Sequence, residues 1–457
     1  MTRNIEIPAG AAALLDALER AGAEAYAVGG CVRDSLLGLR PHDWDLCTSA
    51  RPEQIKAALA GLGCKFLDTG VKHGTVTVLF QGESYEVTTF RVDGPYSDAR
   101  HPDCVTFSPR LEDDLARRDF TVNAMAYSAR RGLADPFGGE SDLRRGIVSC
   151  VGDPEARFSE DALRILRALR FASVYGFAVA PATACAIHGK KALLAKVAGE
   201  RVREELCKLL LGGSHCRGGA VLEVLLNYSD VLCVPIPELA PCVGFDQHSR
   251  YHCYDVYEHM ARSVAACRSH TGDAVTRFAL LLHDVGKPQC FTQDERGGHF
   301  KGHGEAGFAL AGPVLDRLHF DHKRRREILE LIRYHDTPPE PTPRSVRRCL
   351  ARLGPDQTAR LLEVARADAL AHAAWTVPSR LEKLDAAEAL LREALEERAC
   401  FSLKDLAVKG DDLLALGVPE GKQVGELLND LLGEVLDGKT PNERDALTAR
   451  AQLFMDF

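Results

Sequence analysis

The pattern of hydrophobic and polar positions separates an N-terminal part containing strands from a longer part built of helices. Residues 75–80 (TVTVLF) and 85–90 (YEVTTF) alternate apolar and polar side chains around Gln81-Gly82-Glu83, which predicts a β-hairpin. Residues 11–21 follow a helical period, and Pro52 marks the start of a helix continuing over 53–62. We therefore expect an α+β domain with a mixed β-sheet at the N-terminus.

Beyond about residue 140 the periodicity is that of helices. In residues 158–171 (FSEDALRILRALRF) the apolar side chains of Leu163, Leu166 and Leu169 share one face, and Ser159-Glu160 gives a helix-start signal. A basic amphipathic helix over 199–211 is expected to be structural. We divide the chain into a head, an all-α neck, a histidine-rich helical body and a helical tail, at residues 1–140, 141–240, 241–375 and 376–457.

Composition narrows the class of protein. The 457 residues are 27% charged and 46% hydrophobic, as in globular proteins, and the net charge of −8 confines any RNA-binding surface to a local patch. The 15 cysteines contain no Cys-x-x-Cys pair, which indicates free thiols in a reducing cytoplasm. We expect no signal peptide and no membrane span, and nothing in the sequence points to a protein partner.

Residues 28–48 (VGGCVRDSLLGLRPHDWDLCT) carry the strongest chemical signal. A short apolar strand leads into Gly29-Gly30 and then into a helix containing Arg33, an arrangement that suits phosphate binding. Asp43 and Asp45 would project to one side of a strand, where cations relieve the repulsion between their carboxylates. Together they predict a site for two Mg²⁺ ions that transfers nucleotides. Glu86 on the second hairpin strand is a candidate third carboxylate, with an exposed strand glutamate as the alternative.

This stretch resembles the active-site signature of the polymerase-β-type nucleotidyltransferases. Its fuller form, GGxVRDxLLGxxPxDxD, is similar to class II tRNA nucleotidyltransferases, the CCA-adding enzymes, and to their bacterial poly(A) polymerase relatives. The resemblance implies a nucleotidyltransferase head that uses ATP and CTP to extend tRNA. The polar, turn-rich residues 91–103 resemble the flexible loop of enzymes that add the complete CCA, which favours that activity over poly(A) synthesis.

A second motif, RRDFTVNA, begins at Arg117-Arg118. Two adjacent arginines near an acidic metal site are suitable clamps for a triphosphate, although they could instead pair with the acidic residues 112–114. The motif resembles one that binds the nucleotide sugar and phosphates, which implies roles for Asp119 and Asn123 as well. Residues 135–143 (DPFGGESDL) resemble the turn that joins head to neck in this family.

The helix over 158–171 carries a candidate device for choosing the nucleotide. Asp161 and Arg164 are spaced i, i+3 on the predicted helix, where an intrahelical salt bridge is the alternative. An Asp acceptor beside an Arg donor matches the edges of cytosine and adenine, whereas uracil and guanine present the reversed pattern. EDALRILRALRF resembles the family's selection motif, which also implies nucleotide-binding roles for Arg167 and Arg170.

The body carries a second constellation, made of the histidines and aspartates His259, His283, Asp284 and Asp368. Such a set suits a divalent transition metal and resembles the HD phosphohydrolases, whose ligands follow the order His, His-Asp, Asp. His303 and His335 are candidates for a second metal or for substrate phosphate, and Lys287 for a phosphate contact. Whether this site hydrolyses a substrate stays open.

The tail gives the weakest signal. Residues 402–421 resemble the C-terminal segment of the family, and Lys409 and Lys422 are candidates for gripping the tRNA backbone, with a solvated helical cap as the alternative. The sequence as a whole favours template-independent addition of C, C and A to tRNA. The alternatives are a poly(A) polymerase, an enzyme that adds only part of CCA, an HD phosphohydrolase with an RNA-binding head, and a non-enzymatic RNA-binding protein.

Overall fold

A computed structural model describes residues 5–68, 70–96, 104–212, 219–268, 273–295, 297–397 and 399–455. Two compact units make up the chain, Met1–Pro235 and Ile236–Phe457. The first contains a β-sheet followed by helices, and the second is built almost entirely of helices. The predicted α+β class is confirmed.

The head is organised around a seven-stranded mixed sheet. The described part of the head contains nine strands, seven of them in this sheet. They are β1 (Ala25–Val28), β2 (Leu46–Thr48), β3 (Lys65–Leu67), β4 (Thr75–Phe80), β5 (Glu83–Thr89), β6 (Arg91–Asp93), β7 (Val105–Phe107), β8 (Ala126–Ser128) and β9 (Gly132–Ala134). The strand order in the sheet is β3-β4-β5-β2-β1-β8-β9, while β6 and β7 pair as a separate ribbon. Strand β2 runs parallel to β5 and antiparallel to β1. The centre of the sheet therefore consists of β5, β2 and β1, the strands nearest the predicted catalytic residues.

Short helices surround this sheet. They are α1 (Ala9–Arg20), α2 (Gly30–Leu36), α3 (Pro52–Leu59), α4 (Leu111–Ala116) and α5 (Gly139–Arg145), with 3₁₀ turns at Ala60–Leu62, Val71–His73 and Thr121–Asn123. Part of the core is a cluster of buried side chains that includes Val28, Phe90, Leu115 and Ala126. This apolar packing holds β1 in place beneath the glycine pair.

The predicted hairpin is present as β4 and β5. Their register pairs Phe80 with Glu83, so Gln81 and Gly82 alone form the turn. Both turn residues have positive φ, 53° for Gln81 and 86° for Gly82, which matches the twist of the strands in a two-residue turn. The strand prediction is confirmed, and β5 begins two residues earlier than the alternation indicated, because the turn is shorter.

Residues 135–140 form a compact turn that begins α5. The carboxylate of Asp135 accepts hydrogen bonds from the backbone N–H groups of Gly139 (2.7 Å) and Glu140 (2.9 Å). The hydroxyl of Thr121 donates to Asp142 at 2.7 Å. A Cβ atom on Gly139 would lie against the backbone oxygen of Thr121, well inside contact distance. The motif therefore locks α5 onto the 3₁₀ turn at Thr121–Asn123.

Replacing Gly139 by Ala is expected to destabilise the head by about 1–3 kcal/mol, because the backbone at Thr121 must move to admit the methyl group. Chemical denaturation measures the effect. Gly425→Ala is the matched control, since a Cβ there meets no atom within 4 Å. Equal stability of the two variants would show that the turn accommodates a side chain.

The neck consists of helices with one small parallel ribbon. Its helices are α6 (Pro154–Glu160), α7 (Leu163–Tyr175), α8 (Pro181–Lys190), α9 (Gly199–Leu210), α10 (Gly219–Asn227) and α11 (Ser229–Leu232), with a 3₁₀ segment at Lys191–Lys196. Strands β10 (Ile147–Val148) and β11 (Ala178–Val179) form the ribbon. As predicted, Leu163, Leu166 and Leu169 are buried.

The prediction of one continuous helix over 158–171 is wrong. Helix α6 ends at Glu160, Asp161 has an extended backbone (φ −140°, ψ 104°), and α7 begins at Leu163. The Asp161 carboxylate accepts a hydrogen bond from the N–H of Leu163 at 3.0 Å. An aspartate that satisfies the first N–H groups of a new helix favours a break at that residue, and this local preference overrode the helical period.

The second unit contains the helices α12 (Val256–Ala266), α13 (Ala274–Leu282), α14 (Lys287–Cys290), α15 (His303–Arg317), α16 (His322–Tyr334), α17 (Pro343–Leu353), α18 (Pro355–Leu370), α19 (Val377–Glu396), α20 (Gly410–Ala415), α21 (Lys422–Leu436) and α22 (Arg444–Met455). It also has 3₁₀ turns at Pro237–Cys242 and Ala374–Thr376 and a hairpin of β12 (Thr292–Asp294) and β13 (Gly297–His299). Two apolar clusters, one within α17–α19 and one within the tail, form separate parts of its core.

The sequence also predicts free cysteine thiols and no membrane span. The cysteines in the described ranges carry free thiols. Among the helices that the structure describes, none combines the length and the apolar character needed to cross a membrane.

Candidate nucleotidyl transfer site and metal centre

Three acidic residues lie near one another at the centre of the head sheet, two of them just before β2 and one in the middle of β5. Asp43 and Asp45 directly precede β2 instead of lying within it, and both are exposed while Trp44 between them is buried. The register of β2 against β5 pairs Leu46 with Val87, which places Asp45 beside Glu86. The predicted i, i+2 geometry thus exists in an extended segment at the strand's start, and Glu86 lies on the neighbouring strand.

The electrostatics of these carboxylates fit a cation. Desolvation raises the pKa of Asp45, the negative charges of Glu86 and Asp43 raise it further, and Arg118 opposes them. Among the described residues, Asp43, Asp45 and Glu86 do not form a group whose ligand atoms all lie within 4.8 Å of one another. Carboxylates that repel one another stay apart without a bridging charge, and Mg²⁺ prefers such oxygen ligands together with substrate phosphates. The residues present therefore fit the divalent metal that the sequence predicts.

The glycine pair allows a close approach between backbone and arginine. Gly29 has φ 80°, and a Cβ there would lie 2.6 Å from Nη1 of Arg118. Its N–H donates to the carbonyl of Met125 at 3.0 Å, so this donor is not free for a phosphate. Gly30 begins α2 and lines a cleft of about 550 Å³ together with Asp43 and Asp45. Gly29 therefore shapes the turn, while Gly30 faces the cleft.

Arg33 is a buried anchor between head and neck. Its guanidinium donates to Asn123 Oδ1 at 2.6 Å, to the Tyr175 hydroxyl at 2.8 Å and to Asp34 Oδ1 at 2.9 Å. It also lies over the rings of Phe171 and Tyr175, with Cζ 5.0 and 4.9 Å from their centroids. Most of its hydrogen-bonding capacity is thus used inside the protein, and we assign it a positioning role at the wall of the cleft.

Arg117 and Arg118 flank the carboxylates and share one partner, the fully buried Asp114. Arg117 Nη2 lies 2.8 Å from Asp114 Oδ1, and Arg118 Nη2 lies 3.5 Å from Asp114 Oδ2. The alternative of ion pairing with residues 112–114 therefore holds in part. Nε of Arg118 is buried without a hydrogen-bond partner in the structure. Both arginines line the cleft that contains Asp45 and Glu86, so Asp114 fixes their direction toward it.

Asp119 joins the head to the neck. Its Oδ1 accepts from the N–H of Phe120 and from Asn123, and its Oδ2 accepts from Nε and Nη2 of Arg167 at 2.8 and 2.6 Å. Burial alone would raise its pKa, but Arg167 and Asn123 hold the pKa well below its usual range. Arg170 pairs with Glu205 at 3.1 Å. These residues line the clefts, but their charges are largely neutralised by protein partners.

Replacing Asp119 by Asn is expected to cost about 1.5–3 kcal/mol of stability near neutral pH, because Arg167 loses a buried carboxylate. A carboxyl with a depressed folded-state pKa stabilises the fold above its unfolded pKa of about 4, and this contribution disappears as the pH falls through the folded value. The difference between wild type and variant should therefore shrink below about pH 4. Thermal unfolding from pH 3 to 7 measures it.

Glu112→Gln, whose side chain is 57% exposed, is the control for that series and should change stability little at any pH. A pH-independent loss in Asp119→Asn would contradict the account, because it would trace the damage to packing rather than to charge.

Asp161 and Arg164 lie on the same cleft, although they are not neighbours on one helix. Arg164 Nη1 lies 2.7 Å from Glu160 Oε2 and 3.3 Å from the carbonyl of Arg157, and its Nη2 donates to the carbonyl of Arg117 at 3.2 Å. Asp161 Oδ2 accepts from Arg201 Nη2 at 3.1 Å. The intrahelical Asp161–Arg164 salt bridge is therefore replaced by separate partners, which hold each side chain rigidly. This cleft, of about 370 Å³, also contains Asp45 and Glu86.

Sequence reasoning assigned no role to Arg201, which lines this cleft, or to Asp93, which contacts two arginines that line it. Arg201, on the helix expected to be only structural, lines the cleft and pairs with Asp161. Asp93 accepts hydrogen bonds from Arg91 at 3.0 Å and from the Tyr96 hydroxyl at 2.8 Å, and Arg117 lies 3.7 Å from it. The ribbon of β6 and β7 thus brings the start of the predicted loop to the site. Its residues 97–103 lie outside the described residues. The two arginines in residues 201–203 are the feature of the sequence that could have pointed to Arg201.

The body brings the predicted HD ligands together. His259 Nε2 lies 2.8 Å from Asp368 Oδ1 and 3.4 Å from Asp284 Oδ2. His283 Nε2 lies 3.3 Å from Asp284 Oδ2 and 3.4 Å from Asp368 Oδ1. The ligand atoms of these four residues, which we call the first ligand group, all lie within 4.8 Å of one another.

A second ligand group shares Asp284 with the first. Nε2 of His303 and Nε2 of His335 each lie 3.5 Å from Asp284 Oδ1, and the two Nε2 atoms lie 3.0 Å apart. One carboxylate with an oxygen toward each group has the geometry of a bridging ligand. That His303 and His335 bind a second metal or contact substrate phosphate stays a prediction.

Backbone carbonyls fix the orientation of the histidines. The Nδ1 atoms of His283, His303 and His335 donate to the backbone carbonyls of Leu280, Phe300 and Ile332, respectively, each at 2.8 Å. When Nδ1 carries the proton, the Nε2 lone pair points at the centre, as in metal sites whose outer hydrogen bonds set the tautomer. The donor set is therefore arranged for a cation.

The centre also contains buried polar atoms without adequate partners. Both carboxylate oxygens of Asp284 and Nε2 of His283 are buried and complete no hydrogen bond of good geometry. Burial alone would lower the pKa of His283, but the carboxylates of Asp284 and Asp368 raise it to about 10. The buried carboxylate of Asp284 and the partly buried one of Asp368 attract positive charge, and a divalent cation satisfies the same atoms. The residues present fit a metal.

Four family models match successive parts of the chain. Residues 25–149 match the poly A polymerase head domain, 176–223 the "Probable RNA and SrmB- binding site of polymerase A", 251–373 the HD domain, and 367–451 a tRNA nucleotidyltransferase domain 2. Together with the carboxylates of the head, they define a nucleotidyltransferase of the poly A polymerase head type joined to an HD domain.

The CCA-adding enzyme of Levilactobacillus brevis is 34% identical over 442 residues, covering 95% of each chain. The enzyme of Lactobacillus delbrueckii subsp. bulgaricus is 51% identical over 199 residues, so that match spans about half its length, 49%, and 44% of this chain. The crystal structure of the Bacillus stearothermophilus CCA-adding enzyme in complex with CTP has 31% identity and a TM-score of 0.74, covering 99% of this chain and 98% of that one. The chain belongs to the family of CCA-adding enzymes.

Proposed function

We propose that this chain adds C, C and A to the 3′ end of tRNA without a nucleic-acid template, consuming CTP and ATP and releasing pyrophosphate. The observation that carries the proposal is one cleft that holds Asp45 and Glu86 together with Asp161 and Arg164. A metal-binding carboxylate pair and a base-reading pair within one cleft are what template-independent nucleotide addition requires. The relatives that support it are named CCA-adding enzymes, one of them crystallised with CTP.

Asp43 and Asp45, with Glu86 beside them, would hold two Mg²⁺ ions, which supply activation of the tRNA 3′ hydroxyl and neutralisation of the triphosphate. The hydroxyl oxygen loses its proton to solvent and bonds to the α-phosphorus, and the bond from that phosphorus to the departing pyrophosphate breaks. Arg117 and Arg118, held by Asp114, stabilise the negative charge of the phosphates. No protein nucleophile is needed.

Selection of the base follows from the hydrogen-bonding groups of Asp161 and Arg164 that their protein partners leave unused. Three of the five N–H groups of Arg164 are used by Glu160, Arg157 and Arg117, which leaves two for a base. The Asp161 carboxylate has lone pairs beyond those used by Leu163 and Arg201. A fixed acceptor beside a fixed donor accepts cytosine and adenine and leaves unpaired groups against uracil and guanine. We place Arg201 with this pair as a positioning residue.

The four-part division at residues 140, 240 and 375 belongs to the same proposal. We propose that the tail contacts the tRNA backbone near Lys409 and Lys422, which stand at the starts of α20 and α21. Both side chains also make contacts within the protein, Lys409 with the carbonyl of Lys404 and Lys422 with Glu426. Free thiols throughout the described ranges favour the cytoplasm as the compartment.

The test is the nucleotide and substrate requirement of the purified chain. With tRNA that lacks its 3′ CCA and with Mg²⁺, incorporation should require CTP first and then ATP, and UTP and GTP should be rejected. Acceptance of ATP alone on unrelated RNA ends would move the activity to a poly(A) polymerase. Absence of incorporation by folded protein would leave the HD centre as the working site.

We propose a second activity, metal-dependent phosphohydrolysis, at the HD centre. The two ligand groups that share Asp284 carry this proposal. Water would hydrolyse a phosphate monoester to an alcohol and phosphate. The His and Asp side chains of the two ligand groups and Lys287 would surround the reacting phosphate. Lys287 Nζ lies 2.6 Å from Asp284 Oδ2, close to the bridging position.

The number of bound ions tests the two ligand groups. Wild type should bind two Mn²⁺ ions in the body, Asp284→Ala should lose both, and His259→Ala or His303→Ala should each lose one, because only Asp284 belongs to both groups. All proteins in this series, the reference included, carry Ala at positions 43 and 45, so that the head carboxylates bind no ion. Metal analysis after equilibrium dialysis measures the number of bound ions. His299→Ala is the control, since His299 pairs with Asp294 outside both groups. Retention of both ions in Asp284→Ala would contradict the bridging geometry.

A further inference from the structure

A third group of side chains with metal-ligand geometry adjoins the HD centre, and all of its members are histidines. His252, His259 and His372 each offer one ring nitrogen, and these three nitrogens lie within 4.8 Å of one another. The ring centroid of His252 lies 5.3 Å from that of His259 and 4.4 Å from that of His372. We call these residues the three-histidine group. Of the three, His259 alone is also a member of the first ligand group.

Backbone carbonyls orient two of these rings so that Nε2 carries the lone pair. Nδ1 of His372 donates to the carbonyl of Asp368 at 2.8 Å, and Nδ1 of His259 donates to the carbonyl of Ala371 at 3.3 Å. Both carbonyls lie at the C-terminal end of α18, so one stretch of backbone fixes both rings. Hydrogen bonds of this kind set the tautomer and the direction of metal-binding histidines.

His252 contributes a buried nitrogen that is not satisfied. In the described part of the chain, its Nδ1 has no hydrogen-bond partner. The N–H of Ala373 donates to the carbonyl of Tyr251 at 2.9 Å, which ties the segment before His252 to the segment after His372. A buried polar atom without a partner costs free energy, and a bond to a metal removes that cost. The His252 ring is therefore held beside His372 with an unused ligand atom.

Positive and negative charges both lie beside the three-histidine group. Arg380 Nη1 donates to Nε2 of His372 at 3.0 Å, and Lys287 Nζ lies 3.4 Å from Nε2 of His252. These lone pairs thus already face positively charged donors. Oδ1 of Asp368 lies 3.7 Å from Nδ1 of His372 and supplies negative charge. Arg380 lines a cavity of about 880 Å³, so an incoming ion displaces its guanidinium toward open space rather than into the core.

We propose that the three-histidine group is a third metal position, which binds Zn²⁺ in preference to Mn²⁺ or Mg²⁺. Imidazole nitrogens suit Zn²⁺, whereas Mn²⁺ and Mg²⁺ prefer carboxylate oxygens, which the other two groups obtain from Asp284. Because Nε2 of His259 has one lone pair, a Zn²⁺ ion here competes with an ion in the first ligand group. The position therefore makes occupancy of the HD centre sensitive to zinc.

Zinc binding to the full-length chain tests the proposal, in proteins that carry Ala at positions 43, 45 and 284. The change at Asp284 removes the carboxylate common to the other two groups, so Mn²⁺ binding is lost while one Zn²⁺ ion should stay bound. Adding His252→Ala or His372→Ala should weaken Zn²⁺ binding at least about tenfold, since even an outer-shell partner contributes that much. Adding His283→Ala should leave it unchanged, because His283 belongs to the first ligand group alone. Equilibrium dialysis with metal analysis measures the affinity.

X-ray absorption at the zinc edge needs no further variant, because it counts the imidazole ligands of the ion bound to Asp284→Ala. The inference predicts three imidazoles. Two imidazoles and a carboxylate, the set that His259, His283 and Asp368 would supply, would overturn it.

Equal Zn²⁺ affinity with and without His252 and His372 would also overturn the inference, and so would an Asp284→Ala protein that binds no Zn²⁺. Thermal unfolding shows whether each variant is folded, and His252→Ala with Asp284 intact should keep both Mn²⁺ ions. His299→Ala is the matched control and should leave Zn²⁺ binding unchanged, since His299 pairs with Asp294. Phosphate release plays no part in these measurements, so failure of the phosphohydrolase proposal would leave their result intact.

Discussion

Replacing Asp45 by Ala is expected to reduce nucleotide addition by at least about 10³-fold while the fold is retained. Asp45 lines both of the clefts described above, as Asp119 does, and burial, Glu86 and Asp43 raise its pKa while Arg118 lowers it. Under the proposed function, its loss removes one of the oxygen ligands of the metal ions. It also removes mutual repulsion among carboxylates, so thermal stability should stay the same or rise slightly.

The rate of single-nucleotide extension on tRNA lacking CCA measures the effect, and Asp43→Ala should behave in the same way. Glu83→Ala is the control, because Glu83 is an exposed glutamate on the same strand as Glu86, three residues before it. A rate in Asp45→Ala within about tenfold of wild type would remove the head carboxylates from the chemistry.

Replacing Asp161 or Arg164 by Ala is expected to abolish the preference for CTP and ATP over UTP and GTP. Sites that hydrogen-bond a substrate group reject analogues with unmatched groups by about 10⁴–10⁵, and one side of the pattern disappears in each variant. Incorporation of C should fall by about 10²–10³, while misincorporation of U should rise relative to it. Competition between labelled nucleotides at equal concentration measures the ratio.

Glu155→Ala on α6 is the control, because its side chain is 68% exposed and makes only a loose contact with Lys190 at 3.6 Å. Arg201→Ala should give a weaker form of the Asp161→Ala defect, since Arg201 holds the carboxylate in place. Retained discrimination in both Asp161→Ala and Arg164→Ala would show that the base is chosen elsewhere in the cleft.

The sequence was most informative where one local pattern determines one structure. The alternation in 75–90 predicted β4 and β5, and Gly29-Gly30 predicted the strand-turn-helix of β1 and α2. The candidate metal ligands of the body were predicted from a resemblance to the HD family, and the structure places them around Asp284. Family membership was likewise predictable, because the head motifs occur within short stretches.

The sequence was less informative where partners come from distant segments. Helical periodicity could not show that Asp161 interrupts the helix, since a capping carboxylate and an intrahelical partner look alike in sequence. Arg33 stays a predicted phosphate contact, and the sequence could not show that Asn123 and Tyr175, 90 and 142 residues away, accept hydrogen bonds from its guanidinium. Arg201 was overlooked for the same reason, because its partner Asp161 lies 40 residues earlier.

The size of the product tests the central claim most directly. Purified chain, Mg²⁺, CTP and ATP would be incubated with tRNA lacking its 3′ end, and the products separated at single-nucleotide resolution. The account predicts three added residues, in the order C, C, A, and then a stop, with no extension by Asp45→Ala. A long ladder of A residues, or a stop after two C residues, would contradict it.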